Sequence, residues 1–141
     1  MSHIYCCYFD HRYLPRGLTM IRSLRRVERD AEVWVLCLND AAYKALAALN
    51  EPGVRLVALS EIEAGDEALS GAKSDGRSLV EYYFTLTPSL IRFVMTHSGA
   101  DIVSYLDGDL YFFANPRPIY DEMADQSVLL IPHGFVPASY H

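Results

Sequence analysis

Apolar positions along this chain form short unbroken runs, and between them apolar residues recur every three to four positions. The first run, HIYCCYF at 3–9, is β-branched and aromatic and stops at Asp10-His11-Arg12, as a buried strand does. Leu14-Pro15 then opens a helix, with proline in the first turn, where its missing N–H is harmless. Leu14, Leu18, Ile21 and Leu24 are predicted as the buried face of that helix. A second run, EVWVLCL at 32–38, precedes Asn39 or Asp40 as cap of a helix AAYKALAAL. Pro52-Gly53 turns into a third run, VRLVAL at 54–59, and Ser60-Glu61-Ile62-Glu63 has capping-box spacing for a short helix. Residues 64–77, rich in glycine and small side chains, are expected to form a loop. Helical spacing resumes from Ser78 to about His97, where Thr87-Pro88 predicts a kink or a second helix capped by Thr87. A fourth run, DIVSYL at 101–106, leads to an acidic turn, a short helix near IYDEM and a last strand, SVLLIP at 127–132. Strands alternating with helices predict an α/β fold, a mostly parallel sheet with helices on both faces.

The 141 residues fit one domain, and 51% hydrophobic with 21% charged residues places the chain among globular proteins. A formal charge of −6 argues against nucleic acid as partner. The longest apolar runs fall far short of the ~18 residues that span a membrane. The N-terminus has neither a basic leader nor a cleavage site, so a cytoplasmic protein is expected. Cys6, Cys7 and Cys37 lack metal-ligand spacing, and Cys6 and Cys7 would point to opposite faces of a strand; they read as buried small hydrophobes. Arg22, Arg25, Arg26 and Arg29 share one helix face, which reads as solvated in preference to phosphate-binding.

The most informative segment is Tyr105-Leu106-Asp107-Gly108-Asp109-Leu110-Tyr111-Phe112-Phe113. In open α/β sheets ligands bind beyond the carboxyl ends of the strands, where this acidic pair falls. Two carboxylates flanking a glycine repel each other, and a divalent cation relieves that repulsion. Asp-Gly is also a hairpin signal, and a hairpin would put Asp109 inside the next strand beside Leu110.

With YLDGDLYFF following a hydrophobic strand, the chain resembles nucleotide-diphosphosugar transferases of the GT-A fold, and family 8 glycosyltransferases most. YFDHRYLPRGLTMIRSL at 8–24 resembles their opening strand, loop and helix, and KSDGRSLVEYYFTLTPSL (73–90) and SVLLIPHGF (127–135) resemble segments of related proteins. The resemblance implies a Rossmann-like, GT-A-type donor-binding domain and metal-dependent transfer of a sugar from a nucleotide sugar, a UDP-sugar foremost, to an unknown acceptor. It implies Mn²⁺ or Mg²⁺ on Asp107 and Asp109, with Asp109 the more direct ligand and Asp107 supporting it or touching the ribose. Phe9, Asp10 and Tyr13 would surround the base, with Tyr13 stacked on it or packed as part of the helix cap. The family commonly carries an arginine on the helix before the metal strand, where this chain has Phe84 and Thr85. Lys73 and Arg77, with Arg12 third, are the candidate cations in its place. No catalytic base or nucleophile is assigned, and His133, after the last strand, reads as structural.

Family members are usually longer, so the chain reads as a donor-binding part without its acceptor-binding segment, with an exposed apolar face and a tendency to self-associate. The competing readings are a non-catalytic nucleotide-sugar binding module and a nucleotidyltransferase, the latter without a glycine-rich phosphate loop to support it.

Overall fold

A computed structural model describes residues 3–67, 69, 71, 76, 78–123 and 126. The elements run β1 (His3–Phe9), α1 (Leu14–Val27), β2 (Val33–Cys37), α2 (Asp40–Leu49), β3 (Val54–Ala58), α3 (Leu59–Gly65), α4 (Leu79–Ser98), β4 (Ile102–Tyr105) and α5 (Arg117–Met123). The expected strand SVLLIP lies outside the described residues.

The four strands form one parallel sheet in the order β3-β2-β1-β4. β1 is central: Cys6 is in register with Trp34 on one side and Tyr105 on the other. Because successive side chains of a strand alternate faces, β1 feeds two cores. Ile4 and Cys6 pack with Trp34, Leu36 and Val57 beneath α3 and α4. Tyr5, Cys7 and Phe9 pack with Val33, Val35 and Cys37 beneath α1 and α2. The α/β fold with helices on both faces is therefore as the sequence predicts, and all three cysteines are free and buried.

Four local expectations are corrected. The buried face of α1 comprises Gly17, Met20, Ile21, Ser23 and Leu24, while Leu14 and Leu18 are only half-buried. The cause is Gly17: a Cβ there would come within 2.2 Å of the Phe9 ring, so this bare position is where helix meets strand. α3 starts before Ser60, and its first turn is closed by the Glu61 carboxylate accepting the Ala58 N–H at 2.6 Å. Pro88 does not divide the second half: α4 is one 20-residue helix. Ser78 and Glu81 cap it reciprocally, Gly99 ends it at φ 66°, and Tyr82, Leu86, Leu90 and Val94 form its buried stripe. Pro88 itself faces solvent. Finally, Asp107-Gly108-Asp109 is a turn leading to irregular chain, so the hairpin reading fails.

Candidate functional site

Strand order reverses at β1: β2 and β3 lie to one side and β4 to the other. At such a switch point the loops leaving the two strands diverge and open a crevice at their carboxyl ends. The loops after β1 and β4 here enclose a cleft of about 520 Å³. Phe9, Asp10, Tyr13, Asp107, Gly108 and Asp109 line it with Tyr8, Leu38, Tyr83, Phe84 and Tyr105.

Asp10 shapes the first loop. Its Oδ1 accepts the backbone N–H groups of Arg12 (3.0 Å) and Tyr13 (2.9 Å), folding the chain into the start of α1. Tyr13 is thereby aimed across the cleft, and its hydroxyl donates to Asp109 Oδ2 at 3.1 Å. The Arg16 guanidinium lies over the same ring, 5.0 Å from its centroid. Gly108 lets the two loops meet, since a Cβ there would stand 3.3 Å from Tyr13 Cδ1. Phe9 is a floor residue, buried in the core beneath Gly17 and Gly108.

The acidic turn is held from behind. The Leu110 N–H donates to the Asp107 carbonyl at 3.3 Å, and the Phe112 N–H donates to Ser23 Oγ at 3.0 Å. Ser23, buried in α1, also donates to the Met20 carbonyl at 2.7 Å, so its hydroxyl is used in both directions. Asn115 adds a bond to the Val27 carbonyl at 3.2 Å. These contacts run the segment after the acidic pair along α1.

The wall opposite is a tyrosine pair from β1 and β4. The rings of Tyr8 and Tyr105 are 5.5 Å apart, and Thr87 Oγ1 of α4 reaches the Tyr8 hydroxyl at 3.5 Å. Burial, then the neighbouring Tyr8 and Asp107, push the Tyr105 phenol up, so it stays a neutral hydrogen-bonding group.

Asp107 and Asp109 are exposed, and among the described residues no group of three or more His, Cys, Asp or Glu gathers as a ready-made metal cage. An all-oxygen pair suits a hard cation that keeps water and phosphate in its remaining positions. Phe84 is 72% exposed and Thr85 donates to the Tyr82 carbonyl at 2.6 Å, so neither supplies a charge to the cleft. Lys73, Arg77 and His133 lie outside the described residues, and Arg12 is exposed without lining the cleft. The basic face of α1 is engaged elsewhere: Arg22 pairs with Glu51, Arg25 donates to the Ala31 carbonyl, and Arg26 lies over Tyr111. Sequence reasoning missed Tyr8, Tyr105, Arg16 and Ser23. Tyr8 and Tyr105 were legible as polar-tipped residues near the carboxyl ends of two predicted strands, although not as neighbours; Ser23 gave no signal beyond its place in the helix.

No family model matches the chain. It is 30% identical over 131 residues to the uncharacterized protein YfnF of Bacillus subtilis (strain 168), matching 92% of this chain and 42% of that protein. It is 35% identical over 117 residues to the uncharacterized protein YfnD of the same organism, 82% of this chain and 37% of that one. The chain thus spans about two-fifths of the length of these curated relatives. Among solved structures it is similar to the galactosyltransferase LgtC in complex with donor and acceptor sugar analogs, and to the LgtC active-site mutant Q189E. Each match has a TM-score of 0.44 and 19% identity, covering 83% of this chain and 41% of that one.

Proposed function

We propose that this chain is the donor-binding part of a metal-dependent glycosyltransferase. The observation that carries the reading is the union, at the β1–β4 switch point, of Tyr13 with the Asp107-Gly108-Asp109 turn through the 3.1 Å hydroxyl–carboxylate bond. Tyr13 offers a ring to the base, while Asp107 and Asp109 would hold Mn²⁺ or Mg²⁺. When bound, the cation supplies positive charge against the diphosphate leaving group. The chain's own part is placement. Asp10 fixes the loop that presents Tyr13, Ser23 and Gly108 fix the acidic turn, and the apolar floor of Phe9 limits water beneath the ligand.

Calorimetry of UDP with Mn²⁺ or with EDTA tests the reading. The nucleotide should bind measurably tighter with the cation, and a panel of UDP-, GDP- and dTDP-sugars should identify the base. Equal UDP affinity in Mn²⁺ and in EDTA removes the metal assignment. Slow cation-dependent release of sugar from the bound donor marks a transferase; tight binding without any hydrolysis marks a non-catalytic binding module.

A further inference from the structure

The described lining of the cleft carries three carboxylates, Asp10, Asp107 and Asp109, and neither lysine nor arginine. A divalent cation offsets only the metal-binding pair. A nucleoside diphosphate brings more negative charge, so a cation from the chain is needed at the phosphate end. Arg16 stands there. It and Asp109 together wall a hollow of about 430 Å³ that shares Asp109 with the cleft. Arg16 is exposed, and among the described residues no ion pair occupies it.

We infer that Arg16 is the phosphate-contacting cation of this cleft, an assignment that rests on the nucleotide-sugar reading above. A guanidinium presents a planar fork that matches two phosphate oxygens. Its seat over Tyr13 restricts the long side chain before the ligand arrives, so less rotamer freedom is lost on binding. Tyr13 then sits between the two ends of the ligand: its ring meets the base, its hydroxyl meets the metal-binding carboxylate, and its face carries the phosphate-binding cation.

The experiment compares wild type, Arg16→Gln, Arg16→Met and the charge-matched control Arg29→Gln, which lies at the opposite end of the sheet by the Gly53 turn. UDP is titrated in saturating Mn²⁺, and uridine is measured by displacement of UDP. Both Arg16 variants should bind UDP about tenfold or more weakly, the scale of a lost hydrogen bond to a charged group, with uridine and the Arg29→Gln control unchanged. Arg16→Met keeps an apolar stem on Tyr13, so it carries the comparison if Arg16→Gln melts early. Undiminished UDP binding in the Arg16 variants, or equal loss for uridine and UDP, overturns the assignment while leaving the nucleotide reading standing. A wild type that binds no nucleoside diphosphate overturns the nucleotide reading and this assignment together.

Discussion

Tyr13 makes two separable contacts, a ring face for a base and a hydroxyl on Asp109. Tyr13→Ala should weaken nucleotide binding by about 1–3 kcal/mol, the scale of base–aromatic stacking. Tyr13→Phe should restore the affinity seen in EDTA but not the full increment due to Mn²⁺, because Asp109 loses the donor that orients it. Calorimetry of both variants with and without the cation checks this, and full rescue by phenylalanine in Mn²⁺ would make the hydroxyl contact incidental. The cysteines give a residue-scale prediction of another kind. Burial raises Cys6 and Cys37 from an ordinary value near 9 to about 12 and pushes Cys7 up as well. The native thiols therefore stay protonated while those of the unfolded chain ionise, so stability is full below pH 9 and declines as pH rises from about 9 to 12. Iodoacetamide at pH 8 should label none of the three until denaturant is added. That inertness was legible from the sequence, because three cysteines inside apolar strand runs have no partner spacing. The tyrosine hydroxyl on Asp109 was not, since it joins residues 96 positions apart.

Helix α1 is the element on which both halves of the site depend. Gly17→Ala would drive a methyl group into Phe9, and overpacking of this kind costs about 1–3 kcal/mol. Its urea midpoint should fall with an unchanged slope. Ser23→Ala strands the half-buried Phe112 N–H and should cost about 1 kcal/mol, the low end of the penalty for an unpaired donor. The two variants should differ in function. The Ser23 change loosens the segment that follows Asp109, so it should also weaken cation-dependent UDP binding, whereas a folded Gly17→Ala protein should lose chiefly stability. The periodicity of α1 predicted a helix but rotated its buried face, because apolar counting gives leucines priority and cannot see that the closest approach to β1 occurs at a glycine. α4 repeats the lesson from the other side. Pro88 reads as a break, yet its stripe Tyr82, Leu86, Leu90 and Val94 keeps one spacing through the proline, and packing against the sheet holds the helix together.

At the scale of the molecule, the order β3-β2-β1-β4 decides where a ligand goes. The pattern of unbroken apolar runs marked the strands, and continuous burial on both faces holds for β1 and β2, while β3 and β4 are largely half-buried. It gave no order, since each run reads alike whichever neighbour it has. Placing β4 beside β1 is what brings Asp107 and Asp109 opposite Asp10 and Tyr13, about a hundred residues earlier in the chain. Both loops leave the carboxyl end of one sheet, so a ligand that bridges them must stabilise the sheet as a whole. A ligand that binds only the native state at a hundred times its dissociation constant adds about 2.7 kcal/mol. Thermal melts with MnCl₂ alone, UDP alone and both together read that coupling. Two exposed carboxylates hold a lone cation weakly, and the acidic cleft repels a lone diphosphate, so each should shift the midpoint little. Together they neutralise each other across the two loops, and the combined shift should exceed the sum of the separate ones. Additive shifts would mean that cation and nucleotide occupy independent sites, and the acidic turn would then have to be separated from the nucleotide cleft.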